Sequence, residues 1–306
     1  MKRKVSINIE PFQRRLGDKG ALEFAARIGA DAVDFDLYTA RWDYRNEASV
    51  YARSDGEIRA YFEDIAAHAA KIGIEIGQTH GRISTYGPDE EENAHVLENA
   101  RRDLLATKTL GCKVCVMHGV TTGAMGPDAP RKVMHDLNFR CFTDILPYAK
   151  EYGVILATET FGDSPSHGCC DFFGNIDEFL ITYNKIAAKM GTEHFRTCMD
   201  TGHCNKATRF NGNPSPADCI RLLGSSIVCL HLNDNDTLTD QHKIPMTGTI
   251  AWNDVFDALD EVGYTGNYNM EIAWGHFGRD FAEEEAAFAV SVLRHYLDTR
   301  YGKESD

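Results

Sequence analysis

The chain has 306 residues, 43% of them hydrophobic and 25% charged, which supplies material for a large core and excludes a disordered or low-complexity chain. Its net charge of −14, with no dense Lys/Arg run to offset it, argues against nucleic acid as a partner. No stretch approaches the roughly 18 consecutive apolar residues of a membrane span, so no membrane partner is expected.

The start, Met1-Lys2-Arg3-Lys4, is basic but short. It leads into a strand over Lys4–Ile9 and not into the apolar core of a signal peptide. From there one phrase recurs: a helical stretch ends in Gly, and a short apolar strand follows. Gly29 precedes Ala32–Asp36, Gly73 precedes Ile74–Ile76, and Gly111 precedes Val114–Met117. Gly153 precedes Val154–Ala157, Gly191 precedes Phe195–Met199, Gly224 precedes Ile227–Leu230, and Gly263 precedes Tyr268–Met270. A last helix is expected from about Asp280 to Asp298. Gly just past a helix takes a left-handed conformation without steric cost and turns the chain back. Short apolar runs without strict alternation are how parallel strands covered on both faces read.

Eight strands alternating with helices predict an α/β protein, a single (β/α)8 TIM barrel in one domain over 1–306. An open doubly wound sheet would carry a Gly-rich phosphate loop after its first strand, where this chain has Glu10-Pro11-Phe12-Gln13-Arg14. The long loops Tyr38–Ser54, Gly119–Arg131, Phe161–Gly174 and Asn233–Ile250 all follow strands and gather on the catalytic face of such a barrel. Nine scattered cysteines, an odd number, fit reduced thiols and a cytoplasmic location. Cys112 and Cys115 are three apart on a strand and face opposite sides, so they are expected to be buried thiols.

Four consecutive strands end in polar residues: Glu159, Asp200, His231 and Glu271. Each comes from a different unit, so the side chains can converge at the mouth. Three carboxylates and an imidazole suit one divalent metal, Mn, Mg, Co or Zn. His80 and His118 end two earlier strands and are expected to touch substrate. His68, His95, His135 and His295 fall within helices and receive no role.

With these residues in place, nearly the whole chain resembles the xylose-isomerase-like barrel superfamily of sugar isomerases, ketose 3-epimerases, hydroxypyruvate isomerase and endonuclease IV. Asp200-Thr201-Gly202-His203 resembles its Asp-Thr-x-His signature, and His231-Leu232-Asn233-Asp234 its strand-7 histidine. Asp240-Gln241-His242-Lys243 and Pro245–Trp252 resemble the segment before helix 7. The resemblance implies a metal-dependent sugar or sugar-phosphate isomerase or epimerase with a small carbohydrate substrate, acting by proton transfer next to a carbonyl through a metal-bound enediolate. It gives Glu159 and Glu271 a second role as proton carriers, and makes His80, His118, His203, His242, Lys243 and Trp274 substrate contacts. Trp42, Phe161, Trp252 and Trp274 are candidate walls for the sugar, with core packing the better reading of Trp252. Barrels of this kind often pair, so a homo-oligomer is expected.

Two alternatives stay open. The larger ligand set of endonuclease IV can also be laid on the chain, as His80, His118, Glu159, Asp200, His203, His231, Asp240, His242 and Glu271, which would make a trinuclear zinc site. The net charge and the acidic end of the loop Gly81–Glu92 count against DNA. A metal-dependent lyase or deglycosylating enzyme would begin with the same proton abstraction and then expel a leaving group.

Overall fold

Eight short strands, rich in buried Val, Ile, Ala and Cys, carry the architecture. They are β1 (Val5–Asn8), β2 (Ala32–Asp36), β3 (Glu75–His80), β4 (Val114–Met117), β5 (Ile155–Glu159), β6 (Phe195–Asp200), β7 (Ile227–His231) and β8 (Tyr268–Met270). In this computed structural model, which describes residues 3–83, 86–210 and 212–302, all eight belong to one parallel sheet in the order β8-β1-β2-β3-β4-β5-β6-β7. Met1 and Lys2 of the basic start, and Ser84 and Thr85 of the acidic loop, lie outside the described residues.

Leu232, one residue past β7, closes the ring by bridging Met270 of β8. Its N–H donates to the Asn269 carbonyl at 2.8 Å, and the Glu271 N–H donates to its own carbonyl at 3.1 Å. The fold is therefore a single (β/α)8 barrel, and this closing bridge sets Glu271 beside the end of β7.

One long helix follows each strand: α1 (Glu10–Arg27), α2 (Asp55–Ile72), α3 (Glu90–Thr109), α4 (Arg131–Tyr152), α5 (Ile176–Met190), α6 (Pro216–Leu223), α7 (Trp252–Glu261) and α8 (Ala282–Tyr301). The starts follow local chemistry. Ser54 and Glu57 form a reciprocal capping box on α2. Asp89 caps α3, and the acidic run Glu90, Glu91 and Glu92 fills its first turn, where the helix dipole favours negative charge. All seven glycines marked by the sequence have positive φ, from +55° to +86°. None of the described helices is long and apolar enough to cross a membrane.

Two boundaries differ from expectation. The first strand is shorter, Val5–Asn8 instead of Lys4–Ile9, because Ile9 already leads into α1. The last helix begins later and runs further, from Ala282 to Tyr301, after a tight 3-10 turn at Arg279–Phe281. Its extra turn is anchored by Arg300, which pairs with Asp257 and, at 2.9 Å, with Asp260 of α7. Cys112 and Cys115 are buried free thiols, as expected, with Cys112 just ahead of β4.

Candidate metal centre and active site

The two-residue period of a strand decides which side chains enter the barrel. Val116, Ala157, Cys198 and Cys229 form a small cluster apart from the main core. Two residues further on, the same faces carry His118, Glu159, Asp200 and His231. β3 ends in His80 by the same period, and Glu271 follows β8.

Single ligand atoms of Glu159, Asp200, His231 and Glu271 all lie within 4.8 Å of one another. Nδ1 of His231 is the hub. It stands 3.0 Å from Glu159, 3.3 Å from Glu271 and 4.0 Å from Asp200. Its other nitrogen, Nε2, lies 3.2 Å from Oδ2 of Asp34 across the barrel. Gln78 and Asn269 also donate to that Asp34 oxygen. Asp200 is held twice: the His203 N–H donates to Oδ1 at 2.6 Å, capping the short helix Thr201–Ala207, and the Asn233 amide donates to Oδ2 at 2.8 Å. Gly202 is required here, since a Cβ on it would come within 1.8 Å of the Asn233 side-chain oxygen.

Both oxygens of Glu159 and Nδ1 of His231 are buried without a hydrogen-bond partner. Unsatisfied buried acceptors of this kind cost free energy, and a cation shared among them removes that cost. The donor set thus fits a divalent metal.

The remaining histidines surround this centre. His118 Nε2 lies 2.9 Å from Glu159, and His80 Nε2 lies 3.6 Å from both Glu159 and Glu271. His203 hydrogen-bonds the Thr160 carbonyl through Nδ1 and turns Nε2 toward Asp240 at 3.6 Å. His242 does the same with the Glu271 carbonyl and Asp240, at 3.0 and 3.4 Å. Further groups of possible ligands result, among them His80, His118 and Glu159; His80, His231 and Glu271; and His203, Asp240 and His242.

Electrostatics separate the two glutamates. Burial works to raise the Glu159 carboxyl, but His231 and His118 outweigh it and hold the group well below the usual carboxylate range. At Glu271 burial prevails over His231 and His242 and pushes the carboxyl up. Burial opposes charge on His242, yet Asp240 and Glu271 lift its imidazole to about 9. Burial and the neighbouring His118 bring His80 down to about 4.

Aromatic rings frame the mouth. Phe161 stacks on His203 at 4.9 Å and meets His118 edge-on at 5.1 Å, and Tyr38 meets His80 at 4.8 Å. Trp42 is not a wall: it is buried, donates to Asp36 and packs on Phe62. Trp252 is likewise buried and donates to Asp234 at 2.7 Å. Trp274 donates to the Asn8 carbonyl at 3.0 Å and packs on Phe12, at the edge of the mouth. Lys243 pairs its backbone with that of Asp234, at 2.8 and 2.9 Å, just past His242.

Sequence reasoning missed Asp34, which orients His231, and Lys206, a buried lysine one turn past His203. Lys206 reaches Asp163 at 2.5 Å and Asp240 at 3.4 Å. A carboxylate inside the apolar Ala32–Asp36 run, and a lysine three residues after His203, were the available signals.

Residues 22–295 match the xylose isomerase-like TIM barrel family. An uncharacterized protein of Sinorhizobium fredii, y4fM, is 22% identical over 206 residues, which is 67% of this chain and 60% of that protein. The chain thus spans less than two thirds of that relative. Among solved structures, a D-tagatose 3-epimerase-like protein superposes with a TM-score of 0.72 at 18% identity, covering 97% of both chains. D-psicose 3-epimerase, crystallised in the presence of D-fructose, gives 0.71 at 15% identity, covering 98% of this chain and 100% of its own. The IOLI protein with a bound zinc atom gives 0.68 at 17% identity, covering 97% and 99%. At these identities the likeness is one of fold.

Proposed function

The chain belongs to the xylose isomerase-like TIM barrel family, and on that premise we propose that it is a metal-dependent isomerase or epimerase of a small carbohydrate, moving a proton next to a carbonyl. The observation that carries this reading is the convergence of Glu159 and Glu271 on Nδ1 of His231, at 3.0 and 3.3 Å, at the mouth of the barrel. The epimerase and zinc-bound neighbours support it by analogy of fold.

Glu159, Asp200, His231 and Glu271 would hold the ion. When bound, a divalent metal supplies Lewis acidity to a carbonyl oxygen and so acidifies the adjoining C–H bond. Glu159 and Glu271 come from β5 and the end of β8 and flank the space between them. One takes the proton on one face of the carbon, and the other returns it. His80, held neutral, accepts or donates a hydrogen bond to a substrate hydroxyl, and His118 and His203 bind neighbouring hydroxyls. Phe161 and Tyr38 cover the apolar face of the sugar and exclude water. His242, Lys243 and Trp274 serve the far end of the substrate.

The test is solvent-deuterium exchange into a panel of ketoses with wild type, Glu159→Gln and Glu271→Gln. General-base loss predicts a fall of about 100-fold or more in each variant. Exchange at the wild-type rate in either variant contradicts the paired-carboxylate mechanism.

One observation favours a second reading. His203 and His242 each fix Nδ1 on a backbone carbonyl and present Nε2 to Asp240, the arrangement of metal-ligating histidines with their supporting carbonyls. A centre of three ions would favour hydrolysis of a phosphate ester over proton transfer. Nicking of an abasic-site duplex at low enzyme concentration would decide for it.

A further inference from the structure

Beside the barrel mouth lies a second cavity, of about 380 Å³, between the start of α1 and the segment joining β8 to α8. Pro11, Phe12 and Trp274 give it an apolar floor, and Phe12 and Trp274 pack together at 6.1 Å. Its rim carries three arginines, Arg14, Arg15 and Arg279.

The three guanidiniums differ in their ties. Arg14 pairs with Glu10 at 2.8 Å, and Arg15 pairs with Glu283 and lies over the Phe12 ring. Those carboxylates occupy part of each five-donor fork and hold its position. The guanidinium of Arg279 has no ion pair or hydrogen bond among the described residues. The cavity adjoins the mouth through shared wall elements. Glu10 and Asn8 line the mouth beside Glu271 and His80, and Trp274, three residues past Glu271, donates to the Asn8 carbonyl. An aromatic floor with a rim of planar guanidiniums suits a carboxylate or phosphate on a carbon skeleton, which Arg grips with two parallel hydrogen bonds.

We infer that this cavity binds an anionic group, carboxylate or phosphate, at the far end of the substrate whose reacting end lies between Glu159 and Glu271. The inference rests on the proposed function for the reacting end, but not for the anion site itself.

Isothermal titration of the metal-loaded protein with a ketohexose 6-phosphate, a keto-uronate and the neutral ketohexose tests it, in wild type, Arg279→Ala and Arg15→Ala. Arg279 and Arg15 are exposed, so the fold tolerates both changes. The expected result is binding of at least one anionic sugar about 10-fold or more tighter than the neutral one, lost in Arg279→Ala and weakened in Arg15→Ala. Preference for the phosphate or the uronate identifies the anion. Equal binding of charged and neutral sugars, no binding, or anion binding indifferent to Arg279→Ala, which would place the anion on the metal, overturns the inference. Arginine-dependent binding without deuterium exchange in any sugar keeps the anion site and rejects the proton-transfer reading.

Discussion

His231 and Asp34 face each other across the barrel, with Nε2 3.2 Å from Oδ2, although 197 residues separate them in the chain. With a metal bound, this carboxylate would hold the ring proton on Nε2 and leave Nδ1 to face the ion together with Glu159, Asp200 and Glu271. Such outer carboxylates orient a ligating imidazole and strengthen it as a donor. Asp34→Asn keeps the shape and removes the charge. Its metal affinity, measured by competition with a chromogenic chelator, is expected to fall about 10-fold with an unchanged circular dichroism spectrum. Unaltered affinity would make Asp34 a packing residue only.

Gly202 makes a second prediction, about stability. Any side chain there collides with Asn233, and Asn233 steadies Asp200. Gly202→Ala is expected to cost about 1–3 kcal/mol in urea unfolding, the usual penalty of overpacking, and to weaken metal binding with it. A variant as stable as wild type would show that Asn233 has room to move.

Asp36, which lines the mouth with Tyr38, His80 and Glu271, sets a pH dependence of stability. Burial raises its carboxyl from the ordinary 3.8 to about 6, despite hydrogen bonds from Thr39, Tyr38 and Trp42. The folded chain therefore binds this proton more tightly than the unfolded one. The stabilisation is full below about 3.8 and is lost as pH rises through about 6. Asp36→Asn stays neutral throughout, at a constant cost from one lost acceptor. Its stability relative to wild type should therefore rise by up to about 3 kcal/mol between pH 4 and 6, then level off. A difference that is flat with pH would mean that Asp36 is ionised in the folded chain across that range.

The barrel was legible in the sequence because its grammar is local. Seven glycines that end helices and short apolar strands need no long-range knowledge, and Glu159, Asp200, His231 and Glu271 stand out where those strands stop. Asp34 was hidden because it lies inside a strand, and its partner His231 comes from β7, three strands away around the closed ring through β1 and β8. Trp42 was misjudged because a loop position does not reveal burial; its indole hydrogen bond to Asp36 and its packing on Phe62 draw it into the core. His203, Asp240 and His242 were visible as residue types, but only their placement showed both imidazoles turned toward one carboxylate.

Metal content per chain, by elemental analysis of wild type and His231→Ala, bears most directly on the claim of a single catalytic ion at the mouth. The account predicts one divalent ion per chain in wild type and none in the variant. Three ions per chain, or one ion that survives loss of His231, would contradict it.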